Sequence, residues 1–213
     1  MLKALDDKLG KDNYLVFLTA DHAVAEVPGY LVENAVPAGN FELNQIKGLN
    51  DAISARFGAG EWVENISNHQ VFLNHKTLEE KSVNLNAVQD FVAQTILKYE
   101  GVSNAYPANI IATIDYNAGG IKGMMVRGYN QKRSGDELIE LEPGWIIRGK
   151  TGSTHGSAFA YDTHVPLLWF GNGINPGTSH DYKTVTQIAP TLSMILDVML
   201  PNGATGQPLV ELL

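Results

Sequence analysis

Two continuous apolar runs, far apart in the chain, dominate the predicted fold. Residues 14–19 (Tyr-Leu-Val-Phe-Leu-Thr) and 165–170 (Val-Pro-Leu-Leu-Trp-Phe) are bounded by polar or glycine-rich sequence. Such runs predict strands buried on both faces, typical of a parallel sheet covered by helices. The first run follows the end of an amphipathic helix with Leu2, Leu5 and Leu9 on one side, which Gly10 stops. The order helix, turn, buried strand predicts the α/β class.

The sequence between the two runs alternates helical and strand patterns. Apolar residues at helical spacing predict helices over residues 41–57, in which Leu43 is part of the apolar stripe, and over residues 85–99. Two short strands are predicted at 61–66 and 70–74, joined by a turn at 67–69. This helix–strand–strand–helix order predicts a small inserted α+β subdomain over residues 29–115. Beyond it we predict a helix at 121–126, a strand at 138–141, and a final helix at 187–200 with Pro190 in its first turn.

Composition narrows the possible functions. Hydrophobic residues make up 44% of the 213 residues and charged residues 18%, as in ordinary globular proteins. The net charge of −8 argues against a nucleic-acid surface, which needs clustered Lys and Arg. The chain has no cysteine, which excludes disulfides and thiolate metal ligands. We see no signal peptide at the amino terminus and no apolar run of membrane-spanning length, so no membrane partner is expected.

A possible metal-binding pair directly follows the first apolar run. Asp21 and His22 stand at the carboxyl end of the predicted strand, where ligands gather in open α/β sheets. A carboxylate oxygen and an imidazole nitrogen are suitable zinc ligands. The alternative is a loop-capping Asp beside a half-exposed His, and the pair alone leaves both interpretations open.

A second candidate lies in the glycine-rich sequence 149–156, which predicts a loop. Here His155 stands between Thr154 and Gly156, and small neighbours let the backbone approach a ligand closely. Taken alone, this residue fits an ordinary loop histidine better than a metal ligand. His69, His75 and His180 occur in polar turns and support no functional prediction.

Four segments in order connect these residues to a known family. They are residues 17–22 (Phe-Leu-Thr-Ala-Asp-His), 128–130 with 133–136 (Gly-Tyr-Asn and Arg-Ser-Gly-Asp), 143–145 (Pro-Gly-Trp), and 154–156 through 161–166 (Thr-His-Gly and Tyr-Asp-Thr-His-Val-Pro). Together they resemble the alkaline phosphatase superfamily, in particular the carboxyl-terminal part of the threonine-nucleophile monoesterases of Bacteroidetes. The resemblance spans nearly the whole chain and implies an alkaline-phosphatase-like sheet covered by helices.

The resemblance implies a specific site. In that family two zinc ions lie close together, one held partly by an adjacent Asp-His pair that Asp21 and His22 match. The other zinc is held by the His of a His-Gly motif, which His155 matches. The substrate is a phosphate monoester, and a phospho-threonine forms and is then hydrolysed. The full-length enzyme is expected in the periplasm or outside the cell.

The sequence also departs from the family pattern. The family needs a Thr nucleophile, a further Asp and an Asp-x-x-x-His pair upstream, whereas only 20 residues precede Asp21 and none is His. We therefore interpret residues 1–213 as the carboxyl-terminal portion of a phosphatase, incomplete at its amino end. On this interpretation the chain has no catalytic nucleophile and no phosphatase activity by itself. Ala23 stands where the family often has Gly, which should be a minor change.

Other functions stay open at this stage. A phosphodiesterase or phosphonate hydrolase of the same superfamily would use the same metal ligands. A degenerate, non-catalytic domain serving binding or assembly is the alternative outside the enzymes. A sheet without its first strands would expose apolar faces or an open edge, which predicts self-association.

Overall fold

A computed structural model of the chain describes residues 1–42, 46, 48–147 and 151–212. Its helices are α1 (Leu2–Leu9), α2 (Pro28–Glu33), α3 (Leu49–Phe57), α4 (His75–Lys81), α5 (Leu85–Ile96), α6 (Ala108–Ile111), α7 (Gly120–Gly128), α8 (Ala160–Thr163) and α9 (Ile188–Ile195). Its strands are β1 (Leu15–Leu18), β2 (Gly39–Asn40), β3 (Val63–Ser67), β4 (Gln70–Leu73), β5 (Val102–Pro107), β6 (Glu137–Leu141), β7 (Trp145–Ile146) and β8 (Leu168–Gly171). Short 3-10 helices cover Val185–Gln187 and Val210–Leu212. The mixture of helices and strands agrees with the predicted α/β class.

The chain divides into two compact units, and the first consists of Met1–Asp21 and Val165–Leu213. In it, β1 pairs antiparallel with β8, and Leu18 stands opposite Leu168. Both predicted strands are therefore present. Their predicted burial on both faces in a parallel sheet is wrong here, because these two strands pair only with each other among the described residues and leave apolar side chains in solvent.

The second unit, His22–His164, contains the main core. Four strands form an antiparallel sheet in the order β3-β4-β6-β5, and α5 packs against β5 and β6. Helix α3 contacts α5. The buried core side chains come from these elements and from the segments beside them: Phe41, Ile46, Leu49, Ile53, Trp62, Val71, Leu73, Leu78, Val88, Val92, Ile96, Val102, Ile139 and Leu141. The boundaries 29–115 for an inserted subdomain stay a prediction.

The predicted hairpin is confirmed, but its turn is one residue shorter than predicted and β3 begins two residues later. Strands β3 and β4 are joined by Asn68 and His69, with Ser67 paired to Gln70. Both turn residues have positive φ, 50° and 60°, which is the geometry of the two-residue turns that suit the right-handed twist of paired strands. The helices predicted at 85–99 and 121–126, the strand at 138–141 and the first helix ending before Gly10 are also present, as α5, α7, β6 and α1.

The helix predicted over 85–99 ends at Ile96, and two further helix boundaries differ from the prediction. The helix predicted over 41–57 begins only at Leu49, since the Phe41 N–H donates to the Ile146 carbonyl at 2.9 Å and so extends the β2–β7 pairing. Leu43 lies outside the described residues. The final helix ends at Ile195 instead of residue 200, because Asp197 adopts a left-handed φ of 51° and the Val198 N–H returns to the Ser193 carbonyl.

Trp145 packs where two glycines leave room for its indole ring. A Cβ atom on Gly101 would lie 2.1 Å from the Trp145 Cε3 atom, and one on Gly39 would lie 2.7 Å from the same ring. Gly101 also has a φ of +85°, which side chains of L-residues rarely adopt. Trp145 packs in turn against the core of the second unit. These contacts explain the Pro-Gly-Trp segment as a packing feature.

We expect Gly101→Ala to lower the free energy of unfolding by about 3 kcal/mol, because the new methyl group adds a steric clash to backbone strain. Gly58→Ala is the matched control: Gly58 has a φ of +98°, but no atom lies within 4 Å of its would-be Cβ. The control should cost only about 1 kcal/mol. Urea unfolding of both variants measures the difference in their free energies of unfolding. Equal losses of stability would show that the contact with Trp145 does not add to the cost of a side chain at position 101.

Candidate metal centre

The structure brings two of the three predicted ligands into contact. The imidazole rings of His22 and His155 are stacked, with their centroids 3.4 Å apart and their planes 18° from parallel. Both residues belong to the second unit, and both are exposed. Asp21, also exposed, is the last residue of the first segment of the first unit and directly precedes His22. Metal binding by the three residues stays a prediction.

Backbone hydrogen bonds hold the two histidine-bearing segments side by side. The Ala23 N–H donates to the Asp162 carbonyl at 2.8 Å, and the Ala25 N–H donates to the Thr154 carbonyl at 3.3 Å. The Ser153 hydroxyl donates to the Ala25 carbonyl. Residues 23–25 thus lie against residues 153–162, and this pairing places His22 beside His155. Gly149 and Lys150 of the predicted loop lie outside the described residues.

Asp162 fixes the loop that carries His155. Its side chain is buried, and its Oδ2 atom accepts hydrogen bonds from the Ser157 N–H at 2.8 Å and from the Ser157 hydroxyl at 2.6 Å. Charge-assisted hydrogen bonds of this kind are stronger than neutral ones. Asp162 therefore ties the residues just after His155 to α8.

A main-chain carbonyl orients the His22 ring. Its Nδ1 atom lies 2.7 Å from the Ala23 carbonyl oxygen. A carbonyl can only accept, so Nδ1 is the donor in this contact. Histidines that bind metals commonly donate their other ring N–H to a carbonyl or carboxylate in this way. The Ala23 carbonyl therefore fixes the orientation of the His22 ring.

The stacking limits how the two rings could bind a metal. A ring nitrogen binds a metal through a lone pair in the ring plane, and two nearly parallel rings do not direct their lone pairs at one point. Within the described residues, no group of three or more His, Cys, Asp or Glu side chains could hold a metal.

A third histidine, His69, was not predicted to lie near this site. A Cβ atom on Gly156 would be 3.6 Å from the His69 Nε2 atom, so the hairpin turn lies against the loop of His155. Burial lowers the pKa of His69, while the charge of Asp162 partly opposes that shift. His69 is therefore neutral at neutral pH. Its sequence context, a polar turn, gives no signal of this position.

The Arg-Ser-Gly-Asp segment has a structural explanation. The Asp136 Oδ2 atom accepts from the Leu73 N–H at 2.8 Å, while Oδ1 lies 2.9 Å from His75 Nε2. The Gly135 N–H donates to the Gln70 side chain at 2.7 Å, and a Cβ on Gly135 would lie 2.7 Å from the Val71 carbonyl oxygen. These contacts fasten the segment to β4 beside a shallow cleft of about 220 Å³.

No helix within the described part of the chain combines the length and the apolar character needed to cross a bilayer. No protein-family model matches the sequence.

Individual proteins do match. The chain is 36% identical over 210 residues to the alkaline phosphatase PafA of Elizabethkingia meningoseptica and 33% identical over 209 residues to the alkaline phosphatase PhoV of Synechococcus elongatus. A protein named calcium-transporting ATPase from Myroides odoratus is 35% identical over 213 residues. These alignments cover 98–99% of this chain but only 38–39% of each relative.

A solved structure agrees with the sequence matches. The crystal structure of wild-type alkaline phosphatase PafA matches with a TM-score of 0.91 at 36% identity, covering 99% of this chain and 40% of that one. The predicted fold class is thereby confirmed. This chain spans about two fifths of the length of these relatives. It belongs to the alkaline phosphatase superfamily.

Proposed function

We propose that this chain supplies Asp21, His22 and His155 to a two-zinc centre that hydrolyses phosphate monoesters. The stacked contact of His22 with His155 carries the proposal, because these residues are 133 positions apart and the resemblance had assigned them to neighbouring ions. When bound, zinc polarises the phosphate and stabilises charge on the attacking and leaving oxygens. An acidic chain of net charge −8 needs such ions to attract a phosphate ester.

The protein groups position the ligands. The Ala23 carbonyl holds the His22 ring through Nδ1–H, so that Nε2 is the ligand atom. Asp162 holds the loop of His155. On our proposal Asp21 and His22 serve one ion and His155 the other, and polypeptide outside this sequence supplies the remaining ligands and the Thr nucleophile. The complete enzyme would work in the periplasm or outside the cell, where phosphate esters are scavenged.

The chain by itself is expected to bind zinc weakly and to show no phosphatase activity, because a zinc site normally uses three or four protein ligands. Calorimetric titration of the purified chain with zinc should give an affinity that His155→Ala lowers further. His180→Ala is the control, since His180 is an exposed histidine of the other unit. Robust zinc-dependent hydrolysis of an aryl phosphate by the chain alone would contradict the proposed division of the site.

The ring nitrogen through which His22 is proposed to bind zinc can be identified without an activity assay. Long-range ¹⁵N–¹H NMR of the metal-free chain should show His22 with the proton on Nδ1, and zinc should shift its Nε2 resonance. The resonances of His180 should not change. A zinc-induced shift at His22 Nδ1 instead of Nε2 would exclude the proposed coordination.

A further inference from the structure

The turn of the β3–β4 hairpin carries His69 to the loop that holds His155. A Cβ atom on Gly156 would lie 3.6 Å from the His69 Nε2 atom and 4.0 Å from its Cε1 atom. Apart from the two residues that adjoin Gly156 in the chain, no other described residue comes within 4 Å of that position. The residue after His155 therefore faces the His69 ring on this side, at ordinary packing distance.

The hairpin fixes His69 to the core of the second unit. The His69 carbonyl accepts a hydrogen bond from the Ile139 N–H at 2.8 Å, which joins the turn to β6. Strand β4, which follows the turn, buries Val71 and Leu73 in the main core. The His69 ring is thus a fixed surface against which the loop of His155 packs.

Helix α8, just beyond that loop, contains a buried acceptor without a donor. Asp162 is 4% exposed, and its Oδ2 atom accepts both hydrogen bonds from Ser157. Its Oδ1 atom is buried and has no hydrogen-bond partner within the described part of the chain. Buried polar atoms in folded proteins nearly always have a partner. The Oδ1 atom therefore requires an N–H or O–H donor.

His69 can supply that donor. Its ring lies close enough to Asp162 for the carboxylate charge to raise the pKa of His69, although burial lowers this pKa by more. The neutral imidazole that results has one N–H group to donate. The terminal torsion of a histidine side chain is broad, so the ring can turn toward an acceptor at little cost. A single ordered water bridges such a pair nearly as well.

We propose that His69 is a positioning residue for His155, because its ring supports Gly156 and its N–H group satisfies the Oδ1 atom of Asp162. Both contacts hold the loop in the place where the His155 ring stacks on His22. The consequence for zinc rests on the proposed function, whereas the support of the loop does not depend on zinc.

The first measurement uses the metal-free chain. His69→Ala should speed amide hydrogen exchange at Ser157 at least about tenfold, since this N–H donates to Asp162. The ring-proton NMR resonances of His22 and His155 should also move, because stacked rings shift each other's resonances. His69→Gln keeps a neutral N–H donor at a similar reach, and its exchange at Ser157 should stay within about threefold of the parent.

Asn68→Ala is the matched control. Asn68 is the other residue of the hairpin turn and has the same left-handed backbone, with a φ of 50°, but its side chain is exposed. Weakening of the turn itself should therefore affect both variants. Equal exchange at Ser157 in Asn68→Ala and His69→Ala would assign the effect to the turn and overturn the inference, as would failure of His69→Gln to protect Ser157.

A double variant tests the link to Asp162. If His69 acts through this carboxylate, Asp162→Asn combined with His69→Ala should speed exchange at Ser157 by less than the product of the two separate effects. Effects that simply multiply would show that the two side chains act independently, and would overturn the link.

Zinc titration connects the support of the loop with metal binding. His69→Ala should weaken zinc binding by the chain about tenfold, as is common when a group that orients a ligand is lost. His69→Gln and Asn68→Ala should bind zinc as the parent does. Unchanged zinc affinity in a His69→Ala chain with a released loop would overturn the positioning role. A parent chain that binds no zinc, with the loop still released by His69→Ala, would contradict the proposed function and leave the support of the loop standing.

Discussion

We expect the wild-type chain to lose stability as the pH rises from about 5 to about 8. Replacing Glu137 with glutamine should abolish most of that loss. The Glu137 side chain is fully buried, and neither carboxylate oxygen has a hydrogen-bond partner among the described residues. Burial, with smaller contributions from the charges of Asp90 and Asp136, raises its pKa to about 9. The residue is therefore a protonated acid in the folded chain at neutral pH.

The direction of the effect follows from proton binding. Between a pKa near 4.5 in the unfolded chain and about 9 in the folded one, folding takes up a proton. Stability is then greatest below pH 4.5 and falls by up to roughly 1.4 kcal/mol per pH unit until the folded carboxyl ionises. Glutamine cannot ionise, so Glu137→Gln should be more stable than the wild type at pH 8 by several kcal/mol.

Urea unfolding at pH 5, 6.5 and 8 measures this difference. Glu64→Gln, which neutralises an exposed carboxylate in the same unit, is the control and should follow the wild-type pH profile. Parallel pH profiles for the wild type and Glu137→Gln would show that the carboxyl is solvated or paired in solution.

The zinc proposal can be tested in a chimera in which this chain replaces the matching 210 residues of the Elizabethkingia phosphatase. In this chimera, His22→Ala and His155→Ala should each lower kcat/KM for an aryl phosphate by at least roughly 10²-fold. Loss of a group that only orients a metal ligand already costs about 10- to 100-fold, and these substitutions remove the ligands themselves. Inductively coupled plasma analysis should find less zinc bound to each variant than to the parent chimera.

The control variant is His180→Ala, which should retain the activity and zinc content of the parent chimera. Because the two histidines are proposed to serve different ions, the double variant should lose more zinc than either single variant. Full activity after either single substitution would exclude that histidine from the site.

The structure shows which helices and strands could be predicted from the sequence alone. The hairpin at Ser67–Gln70 and helix α5 were predictable because turn-forming residues and a 3.6-residue repeat act locally. Strand β5 (Val102–Pro107) was missed, since its Ser, Asn and Pro residues do not resemble a strand and its pairing partner β6 is distant in sequence. The late start of α3 has the same origin, a hydrogen bond from Phe41 to the distant Ile146.

The sequence named the candidate residues of the site but could not predict how they are arranged in space. Local sequence marked Asp21 and His22 only as a possible ligand pair, and only the family resemblance connected them with His155. The contact itself depends on backbone hydrogen bonds between residues 23–25 and 153–162, which leave no pattern in the side chains. For the same reason His69 beside Gly156 had no recognisable signal.

The hydrogen bond from His22 to the main-chain oxygen of Ala23 bears on how this site can vary between species. Every amino acid offers an equivalent carbonyl, so the identity of the side chain at position 23 does not determine how the His22 ring is oriented. Alanine or glycine at position 23 would therefore orient the His22 ring in the same way, so a change between them at that position leaves this hydrogen bond intact.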